Sequence, residues 1–173
     1  MLPPFVRNYL LKALGGTADV LEGLLLPLAV DDPRWDFRPD PERFTLREII
    51  AHLADWNPIF LERMIRACQE QDPALFSIDE GRLAIDRDYA HSDPKENLRR
   101  FRAGRQAMIQ QLSGWTPDEW QRVSRYLRDA EDAGTAITIE QWAIQTLSHD
   151  GYHTQQVSEW LAKSAKEGSP GEP

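Results

Sequence analysis

Cysteine occurs once, at position 68, in a chain of 173 residues. That excludes an internal disulfide and any multi-cysteine metal cluster. Long apolar runs are missing as well. The longest strictly apolar stretch, residues 24–30, contains Pro27 and is far too short to cross a bilayer. Cations are outnumbered: 20 Lys and Arg against 28 Asp and Glu give a net charge of −8. Such a chain repels phosphate backbones, so nucleic acid is not an expected partner. No basic, apolar, small-residue segment opens the chain, and a cytoplasmic location with no membrane partner is expected. Strand signals are nearly absent, and no repeat divides the chain.

What the sequence does contain is helix punctuation. With 41% hydrophobic and 28% charged residues it reads as one soluble globular domain. A first helix is predicted over residues 4–26, where Val6, Leu10, Leu14, Leu21 and Leu25 step at helical spacing behind Pro3 and Pro4. Gly15 and Gly16 weaken its middle, and a kink or restart at Thr17 is expected there. Three prolines make residues 31–41 a loop. Thr45 and Glu48 form a capping box for a second helix reaching about Gln69, with Phe44 and Ile49 as its staple; Pro58 should bend it near Ala54. A connection over residues 71–92, with a short helix near residues 78–82, has the length to cross the end of a bundle. The third long helix starts at Asp93-Pro94 and stops at Gly114. A short helix is expected from Thr116 to about Leu127. The last helix repeats the capping grammar with Thr138 and Gln141 and runs to about Lys163, leaving residues 164–173 as a frayed tail. The fold class is therefore all-α: a four-helix bundle over residues 1–163 with one or two short extra helices.

Three of the four histidines fall where such a bundle has its core. His149 and His153 are four apart on one face of the last helix. His52 lies between Ile49, Leu53 and Trp56 on the apolar face of the second. Neutral imidazole can be buried when hydrogen-bonded. Three buried together without acid partners are costly, and a shared metal ion would use all three lone pairs. Three protein ligands plus open positions is the pattern of a catalytic metal site. Imidazole suits zinc and nickel first here, with iron, copper and manganese also compatible.

The neighbouring polar residues have plainer readings. Glu48 is explained by its capping box, and Asp55 and Asp150 are offset around their helices toward an expected solvated face. Arg99, Arg100, Arg102 and Arg105 read as a solvated helix face. Gln145 stacks one turn before His149 and is a candidate partner for a metal-bound water. Tyr152 reads as packing, while Trp56, Trp142 and Trp160 are candidate pocket walls. Cys68 is too far along and around its helix from His52 to share its ion, and no base is placed beside it. His91 is expected to be a solvated loop residue. No catalytic side chain is assigned.

The segments FTLREIIAHLADW, residues 44–56, and TLSHDGYHTQQV, residues 146–157, resemble the two signature segments of the DinB-like superfamily of damage-inducible, metal-binding four-helix bundles. The resemblance extends in element order to the Trp35 loop and the WTPDEW segment, and His52, His149 and His153 match the family's three metal ligands. It implies up-down-down-up topology, a homodimer, and a divalent metal ion serving a small-molecule substrate. It also implies relatives among bacillithiol- and mycothiol-dependent S-transferases, hence a low-molecular-weight thiol as co-substrate and a stress-related role. Metal-dependent hydrolysis, and non-catalytic binding of a metal or small ligand, are the alternatives carried forward.

Overall fold

The helices form where the sequence punctuates them. In the computed structural model, which describes residues 1–167, α1 spans Pro4–Leu25, α2 Leu46–Gln69, α3 Glu80–Asp86, α4 Pro94–Ser113 and α5 Ile139–Glu167. Pro4 opens α1, and the helix runs unbroken through Gly15 and Gly16, so neither the kink nor the restart at Thr17 occurs as a break. The capping box of α2 is complete: Thr45 Oγ1 accepts from Glu48 N, and Glu48 Oε2 accepts from Thr45 N at 2.8 Å. The helix continues without interruption past Pro58. Asp93 caps α4 through the amides of Lys95 and Glu96. Thr138 N donates to Gln141 Oε1 at 2.8 Å at the start of α5, which extends four residues past its expected end. The rest of the expected tail lies outside the described residues.

Side-chain ties fix the helix directions. Leu2 N donates to Glu140 and Thr17 Oγ1 to Asp150, so α1 and α5 run parallel. Arg102 reaches back to Asp19 and Glu22, and Lys95 to the carbonyls of Leu25 and Leu26, so α4 opposes α1. Asn57 Nδ2 donates to Phe101 O at 2.9 Å and Arg47 to Ser92 O at 3.0 Å, which makes α2 and α4 parallel. Trp160 Nε1 donates to Phe44 O at 2.8 Å, so α5 opposes α2. The bundle is up-down-down-up. The parallel helices α2 and α4 pack closely at Gly104, where an added Cβ would lie 3.0 Å from Asn57 Cβ. A larger residue there would need Asn57 to give way by a few tenths of an ångström.

Two features differ from the sequence reading of secondary structure. Residues 71–92 hold a strand, β1 (Ala74–Phe76), and α3 begins two residues later than expected, capped by Asp79. Past Trp115 a single 3₁₀ turn at Glu119–Gln121 leads into β2 (Val123–Leu127), where a helix was expected, and then β3 (Thr135–Thr138). The strands form one small sheet, ordered β1-β2-β3, with β1 parallel and β3 antiparallel to β2. These strands have only three to five residues, too short for alternation to stand out.

The apolar core has two compartments. One gathers Leu21, Leu25, Trp35, Ile50, Phe101 and Trp160; the other gathers Leu14, Trp56, Phe60, Met64, Met108 and Trp142. Between them each long helix contributes polar residues: Thr17 from α1, His52 and Asp55 from α2, Arg105 from α4, His149, Asp150 and His153 from α5. This middle layer carries the chemistry. Among the described residues, no helix is long and apolar enough to cross a membrane.

Candidate metal centre

His52 sits two turns past the Thr45 cap, where α2 is firmly seated in the core, and is fully buried. His149 and His153 stand one turn apart on α5 and face it. The three ring centroids form a nearly equilateral triangle, 4.8–4.9 Å on a side. His52 Nε2 and His149 Nε2 are 2.9 Å apart, and one ligand nitrogen from each of the three rings lies within 4.8 Å of the others. Two imidazole nitrogens bound to one ion at 2.0–2.1 Å are themselves about 3.3 Å apart in a tetrahedral site, so the cluster is already close to a ligating arrangement. The three side chains singled out in the sequence are thus brought together.

Electrostatics keep these imidazoles neutral. Burial, reinforced by His153 and His149, pushes His52 down to about 2. Burial, then His153 and the Arg105 cation, lowers His149 to about 3. Burial lowers His153 to about 4, opposed by its hydrogen bond to Gln156 and aided by Arg43. A neutral imidazole offers a lone pair, which a metal needs. His153 Nδ1 is 3.2 Å from Gln156 Oε1, and the amide's other end donates to Phe44 O at 3.0 Å. That chain fixes the ring with its Nε2 free, the arrangement of a metal ligand oriented from behind. The Nδ1 atoms of His52 and His149 are buried with no hydrogen-bond partner. Three converging neutral donors and no acid among them suit a divalent ion better than they suit one another.

Two cavities open onto the cluster, and both touch His149 and Glu80. One, of about 370 Å³, is walled by Trp56, Phe60, Arg63, Tyr126 and Trp142, with Gln145 at its rim. The other, of about 380 Å³, is lined by Arg43, Phe44, Tyr152, His153 and Gln156. Glu80 lies at the first turn of α3, and burial raises its pKa while the Arg63 cation partly offsets the rise.

Other assignments change. Asp55 is buried, accepting from Tyr89 Oη at 3.0 Å and pairing with Arg100, not solvated. Asp150, at 1% exposure, ion-pairs with the buried Arg105 at 2.8 Å. Their offsets around the helices point at neighbouring helices instead of water. Arg102 is likewise engaged, with Asp19 and Glu22, while Arg99 and Arg100 are exposed as expected. Trp56 and Trp142 wall the first cavity, but Trp160 belongs to the far core compartment. Glu48 keeps its capping role and adds an ion pair with Arg38 at 2.7 Å. Cys68 is half-buried, and burial and Glu119 push its thiol up, away from a nucleophile. His91 is exposed and meets Asp88. Sequence reasoning missed Gln156, Glu80 and Arg63. Gln156 stands at i+3 from His153, and Arg63 continues the Trp56–Phe60 stripe, so both carried a readable spacing.

Comparison with known proteins agrees with this geometry. No curated protein matches the chain in sequence. Among solved structures, YfiT from Bacillus subtilis, described as a probable metal-dependent hydrolase with an unusual four-helix bundle topology, superposes with a TM-score of 0.85 at 18% identity, covering 95% of this chain and 91% of that one. The family model of the DinB superfamily matches residues 13–157, a span holding all three histidines, and the chain belongs to that superfamily.

Proposed function

We propose that the chain is a metal-dependent enzyme in which His52, His149 and His153 hold one divalent ion, zinc or nickel first, and a low-molecular-weight thiol is transferred to a small electrophile. The observation that carries the reading is the pair of cavities meeting at His149 and Glu80, which gives two reactants separate approaches to one centre. A bound ion supplies Lewis acidity that lowers the pKa of a thiol or water in an open position. The protein's own residues do the rest. Burial keeps the three imidazoles uncharged, and Gln156 holds His153 in the ligating orientation. Trp56, Phe60 and Trp142 exclude water from one side of the centre. The Glu80 carboxylate, shared by both cavities, accepts the proton that the thiol gives up.

Hydrolysis is the second reading, favoured by the description of YfiT as a probable metal-dependent hydrolase. The two are separated by the co-substrate. Metal-loaded protein should consume monochlorobimane together with one of a panel of low-molecular-weight thiols, faster than the metal-free control. Turnover of activated esters with no thiol requirement would favour hydrolysis. No turnover of either kind would leave metal or ligand storage as the function.

A further inference from the structure

Arg63 is 6% exposed, yet among the described residues no carboxylate ion-pairs with it. Its guanidinium carbon lies 5.0 Å from the Trp142 ring centroid, 5.3 Å from Trp56, 5.6 Å from Tyr126 and 6.0 Å from Phe60. All four rings wall the cavity that reaches His149. One Nη donates to Phe76 O at 3.0 Å, the only hydrogen bond that the guanidinium makes among the described residues. Glu62 and Glu80 act on it only through space, and a buried cation with no counter-charge in contact is costly. Each ring face returns part of that cost. A leucine or methionine would fill the same aromatic box without that cost. Apart from the bond to Phe76 O, its in-plane N–H donors make no hydrogen bond among the described residues, and a planar guanidinium can grip a carboxylate by two parallel ones. The same rings bridge to the metal centre: Trp56 and Phe60 each lie 5.5 Å from the His149 ring.

We propose that Arg63 is the anion subsite of this cavity and that its substrate is a small carboxylate with a flat apolar body, lying between the aromatic walls with its carboxylate on Arg63 and its far end toward His149. The substrate class deepens the metal-enzyme reading and rests on it for its purpose, though not for the binding itself. Glu80, the other charged group on the cavity wall, faces the same space and opposes an anion, which places the carboxylate at the Arg63 side.

The test is binding of 4-fluorobenzoate to the full chain freed of metal with a chelator, followed by fluorine NMR line broadening. The neutral 4-fluorobenzamide is the matched control. Wild type should bind the carboxylate about tenfold or more tightly than the amide, the size of effect a charge-assisted hydrogen bond produces. R63M should erase that preference, and R63K should keep part of it. R63M fills the aromatic box, and its circular dichroism melt checks that it folds; the amide control and R63K decide the question if it does not. Equal binding of acid and amide by wild type would overturn the proposal. So would carboxylate binding that needs metal and survives R63M, because the ion would then be the anion's partner. Arg63-dependent binding without turnover of any thiol or ester would leave the subsite standing and sink the enzymatic reading.

Discussion

His149 and Asp150 are neighbours in the chain and opposites in the fold. Asp150 faces α1 and α4, where it takes a 2.8 Å hydrogen bond from Thr17 and a 2.8 Å ion pair from Arg105, whose side chain is 2% exposed. His149 faces α2, where it meets the His52 imidazole, the rings of Trp56 and Phe60, and two open cavities. Both belong to the polar layer between the two apolar compartments. On one face of α5 the opposite charges are paired within the protein and the cluster is closed to solvent, although Nε and Nη1 of Arg105 find no hydrogen-bond partner among the described residues. On the other face three imidazoles converge, and among the described residues they find only one another and no acid or cation-bearing partner at their meeting point. A buried charge paired by its neighbour can be held inside a fold, while converging neutral imidazoles with no acid among them suit a bound cation.

Breaking the closed face should cost the most. Asp150→Ala leaves Arg105 as an uncompensated buried cation, and unfolding by urea should show a loss of about 3–5 kcal/mol. Metal content per folded chain should stay near that of wild type. On the open face the pattern should invert. His149→Ala should lose the bound ion, read as elemental content of untagged protein falling from about one divalent ion per chain to near zero. The metal-free variant should be as stable as metal-free wild type to within about 1 kcal/mol, since the apolar compartments are untouched. Metal-loaded wild type should exceed both by about 2.7 kcal/mol when free metal is a hundred times its dissociation constant.

Acid sharpens the contrast. The three histidines are held at about 2, 3 and 4 in the fold, against 6.5 in the unfolded chain. Their penalty is absent above pH 6.5 and grows as pH falls toward those values, because the unfolded chain takes up protons that the folded one refuses. At pH 5.5 each imidazole should cost the metal-free protein about 1.4 kcal/mol, and His52→Phe should remove one such share. A pH series of urea midpoints measures this. Gln156→Ala, which frees His153 without touching a ligand, should weaken metal affinity about 10- to 100-fold in a chelator competition assay. Thr45→Ala should cost only about 1 kcal/mol of stability through the lost cap, with no change in metal affinity.

The readable parts of this molecule were those written locally. Capping boxes at Thr45 and Thr138 and the cap at Asp93 place three helices from a few residues each, and the spacing of His149 and His153 needs only one turn of helix. His52 joined them because it sits in an apolar stripe. What the sequence concealed depends on partners far along the chain. Asp55, Arg105 and Asp150 look like surface charges until Arg100, Tyr89 and Thr17 arrive to bury them. The β2 segment, VSRYL, carries a charge and no turn signal that separates it from a helical run, and it becomes a strand by pairing with residues 74–76 and 135–138. Arg63 reads as one more helix cation until four rings from three elements surround it.

Because α2 and α4 point the same way, the chain between them must travel back along nearly the whole length of the barrel, and its course takes Glu80 past both openings to the histidines. An antiparallel hairpin would have turned at the far end and left those openings bare. The returning segment is itself anchored, with Leu75 packed in the second core compartment, Phe76 O accepting from Arg63 and Tyr89 Oη donating to Asp55, while positions 52, 149 and 153 all lie outside it. Directionality of two helices thus lays a separate stretch of chain beside a centre whose ligands all come from the long helices.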